Sequence, residues 1–229
     1  MMSPDSLAAV VVAAGAGRRF GGDKLFRRLG NRPLLAWSLD ALEESPLVSL
    51  VVLVLSEANL ERGRHLIQRR RYAKVRAICL GGRRRQDSVW NGVRQAAGWN
   101  WIAIQDGARP FLTQDILTRG WETARRVGGA VAAVPVKDTI KIVGPGEIIA
   151  STPTRAHLWA AQTPQIFRYE WLATAYQVHG EADVTDDGEL MERAGFPTAV
   201  FQGAEANLKV TTLEDLTLAR AIARRARRA

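Results

Sequence analysis

Cysteine is almost absent from this 229-residue chain; Cys79 stands alone, which excludes an internal disulfide. Histidine is nearly as scarce. His65, His157 and His179 are too scattered to have the spacing of metal ligands, which excludes structural zinc. No apolar run reaches the roughly 20 residues of a membrane span. The opening MMSPDSLAAVVVAAGAG has no basic segment ahead of its apolar run, so it does not read as a secretory signal, and the expectation is a soluble protein of the cytoplasm. What the chain has in surplus is positive charge: 32 Lys and Arg against 23 Asp and Glu, a net charge of +9. That surplus calls for a polyanionic partner or for another explanation. Arginines cluster at 69–71, 83–85 and 224–228, but no aromatic residues interleave with them as a single-strand binder needs. The last cluster ends a helical run, where cations favour the macrodipole. Solvated helix ends are therefore the preferred reading, with nucleic-acid binding as the alternative.

With 47% hydrophobic and 24% charged residues, the composition is globular. Neither a linker nor a repeat divides it, so a single domain over 1–229 is expected. Apolar runs alternate with helix-like stretches: a strand over 8–14, a helix over 33–45, a strand to about 55, a polar helix near 57–70 and a strand over 75–80. A helix near 88–97 and a strand over 101–105 continue the rhythm, which predicts a mostly parallel sheet with helices on both sides. From residue 130 a strand is followed by two alternating segments joined at Gly144–Glu147, a hairpin arm over about 137–155. An isolated hairpin is marginal in water, so the arm is expected to pack on a second subunit, making a homodimer. Helices near 168–179 and 186–195, a strand over 198–203 and a closing helix from about 212 complete the chain.

Ligands of parallel sheets collect beyond the carboxyl ends of the strands, so the loops at 15–24, 81–88 and 106–110 should share one rim. In the first, Gly15 and Gly17 let backbone N–H groups approach an anion, and Arg18, Arg19 and Lys24 follow. Phe20 stands where a dinucleotide fingerprint needs its third glycine, and no Walker sequence occurs, so NAD and P-loop sites are excluded. The remaining reading is a phosphate cradle suited to nucleotidyl transfer, where charge gathers on the attacked phosphorus. In the second loop, Asp87 or Ser88 can cap a helix, or the groups freed by Gly81 and Gly82 can join Ser88 in binding the edge of a base. In the third, Asp106 at a strand end can hold a magnesium ion bridging phosphates, or close an Asp-Gly turn with Arg109. Arg155, Thr163 and Lys209 are suited to a second anion.

Taken in order, AAGAGRRF with Lys24, GGRRRQDSV, DGARP, PVKDTIK, RAHLWAAQTPQIF, the TDD of 185–187 and NLKVT resemble the cytidylyltransferases of the non-mevalonate isoprenoid pathway. The likeness spans about residues 8–220. It implies an α/β, Rossmann-like nucleotidyltransferase, dimeric through a β-arm, that joins CTP to 2-C-methyl-D-erythritol 4-phosphate with Mg2+ and releases pyrophosphate. The catalytic set it implies is Arg18, Lys24, Arg155 and Lys209. Ala13, Ala14, Gly15, Ala16 and Gly17, with Gly81, Gly82, Asp87, Ser88 and Asp106, would hold the nucleotide. Asp106 and Arg109 would organise metal and phosphates. Thr139 and Arg155 would reach the acceptor in the partner's site, while Thr163 and Lys209 would position it from the same subunit. Asp23-Lys24-Leu25 departs from the Pro-Lys-Gln of many members. A ribitol-5-phosphate cytidylyltransferase is the alternative that shares the nucleotide half.

Overall fold

The computed structural model describes residues 6–15, 17 and 20–225. Strand β1 (Leu7–Ala13) lies between β4 (Val48–Leu55) and β6 (Trp101–Asp106), parallel to both, and β5 (Val75–Leu80) extends the sheet beyond β4. On the other side β10 (Trp159–Arg168) runs antiparallel to β6 and to β7 (Gly129–Pro135), and β11 (Ala199–Gln202) closes that edge. The order is β11-β7-β10-β6-β1-β4-β5, so β10 alone opposes the common direction, in agreement with the expected mostly parallel sheet. The chain winds outward from β1 through β4 to β5, then returns to β6 on the opposite side. The crevice between the ends of β1 and β6 is thus the topological switch point.

Alternation along the strands builds two cores. Leu7, Ala9, Val11 and Ala13 of β1 face one layer, with α1 (Leu34–Glu44), α4 (Gln114–Val127) and α7 (Leu213–Arg225). Ala8 and Val10 face the other, with α3 (Arg85–Arg94), α5 (Tyr169–His179) and α6 (Asp187–Arg193). A strand covered on both faces must be apolar at every position, which is why VVVAA reads as a continuous run. Helix α2 (Leu60–Arg70) rests Leu60, Gly63, Leu66 and Ile67 on the first layer and exposes its other residues.

Two elements differ from the sequence expectation. Helix α4 is not among the expected elements, although Ile116, Leu117, Gly120, Trp121 and Ala124 form a helical stripe that packs inward. Residues 159–168, expected as site residues without assigned structure, form the longest strand. Its pairing lapses between Ala161 and Gln165, a bulge at Gln162, Thr163 and Pro164. The hairpin arm is present but short: β8 (Ile142–Val143) pairs with β9 (Ile149–Ser151), and Gly144 N–H donates to Ile148 O at 2.9 Å. Among the described residues no helix is long and apolar enough to cross a membrane.

Helix α4 ends at Gly128, which takes φ 107° and donates its N–H to Ala124 O at 2.7 Å. A Cβ there would lie 1.9 Å from Trp171 Cζ3. Both the left-handed backbone and the indole demand glycine. Gly128→Ala should therefore lose about 2–4 kcal/mol of stability, seen as a lower urea midpoint with an unchanged slope.

Candidate active site

The carboxyl ends of β1, β5 and β6 meet around a cleft of about 450 Å³. Beyond β1, Gly17 takes φ 61° and its carbonyl accepts from Phe20 N–H at 2.9 Å, so the loop doubles back. Phe20 and Leu25 are buried in the core and return Lys24 to the cleft wall. Gly81 lets the segment after β5 approach the segment after β1: a Cβ on it would sit 2.2 Å from Ala14 Cβ and 2.8 Å from Ser88 Oγ. Gly82 N–H donates to Ser88 Oγ at 3.0 Å, and that hydroxyl donates to Arg84 O at 3.1 Å, which fixes the loop at the cleft edge.

Asp106 forms the floor. It is buried, and Lys209 Nζ lies 2.8 Å from Oδ2, with Arg109 Nε and Arg85 Nε each at 3.6 Å from a carboxylate oxygen. Burial alone would raise its pKa, but Lys209, Arg85 and Arg109 outweigh it and hold the carboxyl down to about 2. These cations are themselves held. Val210 N–H donates to Ala108 O at 2.9 Å, pinning the Lys209 segment to the loop after β6. Arg109 donates to Asn207 O at 2.7 Å, and Asn207 Nδ2 donates to Thr163 O at 2.8 Å. Burial lowers the Arg109 pKa while Asp106 opposes that shift.

Of the expected site residues, Ala13, Ala14, Gly15, Gly17, Lys24, Gly82, Ser88, Asp106 and Lys209 line this one cleft. Ala16 and Arg18 lie outside the described residues. Gly81 stands behind the wall, where its lack of a side chain admits Ala14. Asp87 turns away from the cleft: helix α3 starts at Arg85, three residues earlier than expected, and Asp87 accepts from Arg84 N–H at 2.9 Å and from its guanidinium. Arg109 is buried under the floor, and Thr163 Oγ1 accepts from Asp106 N–H at 3.0 Å, so both position Asp106 from behind. Thr139 and Arg155 sit with the arm, both exposed, and Arg155 donates to Lys137 O at 2.6 Å.

Arg85 is the functional residue that sequence reasoning missed. It looks like one of three surface arginines, yet it alone turns inward from the first turn of α3 and bridges Asp106 to Asp187, whose Oδ2 lies 2.8 Å from Nη1. Tyr176 Oη donates to the other Asp187 oxygen at 2.8 Å. Burial lowers the Arg85 pKa, but Asp187 and Asp106 raise it well past the ordinary value, so the charge is permanent. The TDD motif was the available signal. Asp186 caps α6 by accepting from Glu189 N–H at 2.9 Å, and Asp187 holds Arg85.

Asp106 is ionised in the folded chain down to a pH below its usual range. Its stabilisation is complete above the ordinary carboxylate pKa near 4 and drains as pH falls towards about 2. Asp106→Asn has no such window and leaves three cations facing one another. In urea unfolding, wild type should exceed Asp106→Asn by about 2 kcal/mol at pH 5, a gap that closes on acidification to pH 2; a gap constant across that range would contradict the charge network.

The profile of the 2-C-methyl-D-erythritol 4-phosphate cytidylyltransferase family matches residues 7–225. A Dehalococcoides mccartyi protein of that name is 42% identical over 99% of this chain and 100% of its own length. One from Geobacter metallireducens is 44% identical, covering 93% of this chain and 95% of its own. Among solved structures, the 4-diphosphocytidyl-2C-methyl-D-erythritol synthase of Anaerococcus prevotii superposes with a TM-score of 0.86 at 25% identity, over 96% of this chain and 97% of that one. The cytidylyltransferase of Thermus thermophilus gives 0.77 at 30%, over 96% and 99%. With the strand-end cleft and its cations in place and the likeness running end to end, the chain belongs to the 2-C-methyl-D-erythritol 4-phosphate cytidylyltransferase family.

Proposed function

We propose that the chain transfers the cytidylyl group of CTP to 2-C-methyl-D-erythritol 4-phosphate and releases pyrophosphate. The observation that carries this reading is the charge of the cleft: Lys24, Arg83, Arg84, Arg85 and Lys209 line it, and among the described residues Asp106 is the single carboxylate against them. Such a site suits a triphosphate, whose negative charge exceeds that of the residues around it. An oxygen of the acceptor's 4-phosphate attacks the α-phosphorus in line; the new P–O bond forms as the bond to the β-phosphate oxygen breaks, and pyrophosphate departs. Lys24, and by the family resemblance Arg18, neutralise the charge that gathers on the α-phosphoryl oxygens. Nothing in this route needs a covalent enzyme intermediate.

Magnesium fits a site of this kind in one way. Asp106 would supply one carboxylate to the ion, with substrate phosphates as further ligands, and the ion would offset phosphate charge there. Lys209 and Arg85 hold that carboxylate in place. The backbone at Gly82 and the fixed Ser88 hydroxyl support base recognition at the edge of the cleft. We place the reaction in the cytoplasm, where CTP is abundant.

The arm supports a homodimer with shared sites. Ile142, Val143, Ile148 and Ile149 are 52–70% exposed on a hairpin too short to be stable alone. A second copy would cover them, and Thr139 and Arg155 would enter the partner's cleft.

Pyrophosphate release with CTP and magnesium tests the reaction, comparing methylerythritol phosphate, ribitol 5-phosphate and no acceptor. Release that requires methylerythritol phosphate is expected. Faster turnover of ribitol 5-phosphate would reassign the acceptor, and silence with every pair would refute the reading. Lys24→Ala and Arg155→Ala should each abolish turnover, and an equimolar mixture after subunit exchange should regain about a quarter of wild-type activity, because half the dimers carry one intact site. An inactive mixture would place each site within one subunit.

A further inference from the structure

A second cleft, of about 520 Å³, lies away from the catalytic rim, between the short strands β2 (Arg28–Leu29) and β3 (Arg32–Pro33) and helix α2. Its size is in the range of small-ligand sites. Arg28 and Arg32 line it from one side, and Arg62, Arg69 and Arg70 from the other, with Phe26 as an apolar wall. Among the described residues Glu61 is the single carboxylate on its wall, and it pairs with Arg64. Behind it, buried Asp40 receives both Arg32 and Arg70 together with the Tyr72 hydroxyl at 2.6 Å, one negative charge for two guanidiniums.

The bland account covers only part of this. Arg69 and Arg70 fall in the last turn of α2, where the macrodipole favours cations. Arg28 and Arg32 belong to β2 and β3 and gain nothing from that dipole. Arg32 stacks on Trp37 at 3.9 Å, and its Nε is buried without a hydrogen-bond partner. Arg62 lies over the Phe26 ring at 4.2 Å and reaches out of the cleft to pair with Asp23, the residue before Lys24. Asp40 and Asp23 offset part of this charge, and the surplus of the five guanidiniums, brought from β2, β3 and α2 to one hollow, is left for an anion to join. Guanidinium forks match phosphoryl oxygens two at a time, so five of them exceed the needs of one phosphate.

We propose that this cleft binds a small organic diphosphate, its phosphoryl groups held by Arg28, Arg69 and Arg62, with Arg62 taken in competition with Asp23. The proposal stands apart from the catalytic reading, because its test measures binding alone. The full chain is titrated calorimetrically with methylenediphosphonate in EDTA, without CTP or metal. Binding in this cleft is expected as a saturable event of its own, weakening as salt rises. Arg28→Ala and Arg69→Ala, both at exposed positions, should each weaken it on the order of tenfold, whereas Asp23→Asn, which frees Arg62, should tighten it severalfold, and Lys24→Ala should leave it unchanged. Loss in Lys24→Ala with retention in the two arginine variants would place the anion in the catalytic cleft and overturn the proposal. So would an absence of heat at millimolar ligand, affinity unmoved by Asp23→Asn, or displacement of the diphosphonate by an RNA oligonucleotide, which would mark a nucleic-acid surface instead.

Discussion

The buried carboxylate of Asp106, set among Lys209, Arg85 and Arg109, is the interaction on which the site is organised. A lone carboxylate at that depth would take up a proton or find water, and three cations at that distance would push apart. Together they satisfy one another, and each comes from a different part of the chain: the end of β6, the loop that follows it, the start of α3 and the segment before α7. Asp106 thus holds four pieces of the fold in register. Asp187 and Tyr176 extend the network by securing the far side of Arg85, so α5 and α6, which never touch the cleft, help to set its geometry.

The charge arrangement also explains why the cleft tolerates its cations. The surplus over Asp106 stands at the mouth, where Arg83 is exposed and Arg84 pairs with Asp87, while Arg85 and Arg109 are compensated by the carboxylates they face. A polyanion entering the cleft meets positive charge already oriented by backbone and ion pairs, so little reorganisation remains to be done when the phosphorus is attacked.

Much of this was legible in the residues. The β-branched run after residue 8, the glycines at 15, 17, 81 and 82, and Asp106 at a strand end each carry a local physical reason for their place, and local reasons survive in sequence. The elements that escaped depend on long-range partners. Residues 159–168 look like a site loop because alanine, glutamine and proline are weak strand formers; they become a strand only when β6 and β7 stand on both sides. Helix α4 carries a clear inward stripe, yet it lies between two motif-rich stretches with no chemistry of its own. Arg85 is indistinguishable from Arg83 and Arg84 until the start of α3 is fixed, because one residue of phase decides whether a guanidinium faces solvent or Asp106. Thr163 and Arg109 read from sequence as ligand contacts; that both are also buried against Asp106 is a matter of long-range packing that no local pattern shows.

Strand β10 reaches from the arm at Trp159 to the core at Phe167, and it is not uniformly stiff. Its two ends are laddered to neighbouring strands, while the bulge at Gln162, Thr163 and Pro164 is held by side chains: Gln162 to Ala204 O at 3.0 Å, Thr163 to Asp106, and Asn207 to Thr163. In mechanical terms this is a break in the ladder, placed where the strand passes Asp106. One continuous strand therefore ties the arm to the backbone of Asp106 through a side-chain bond instead of a ladder bond.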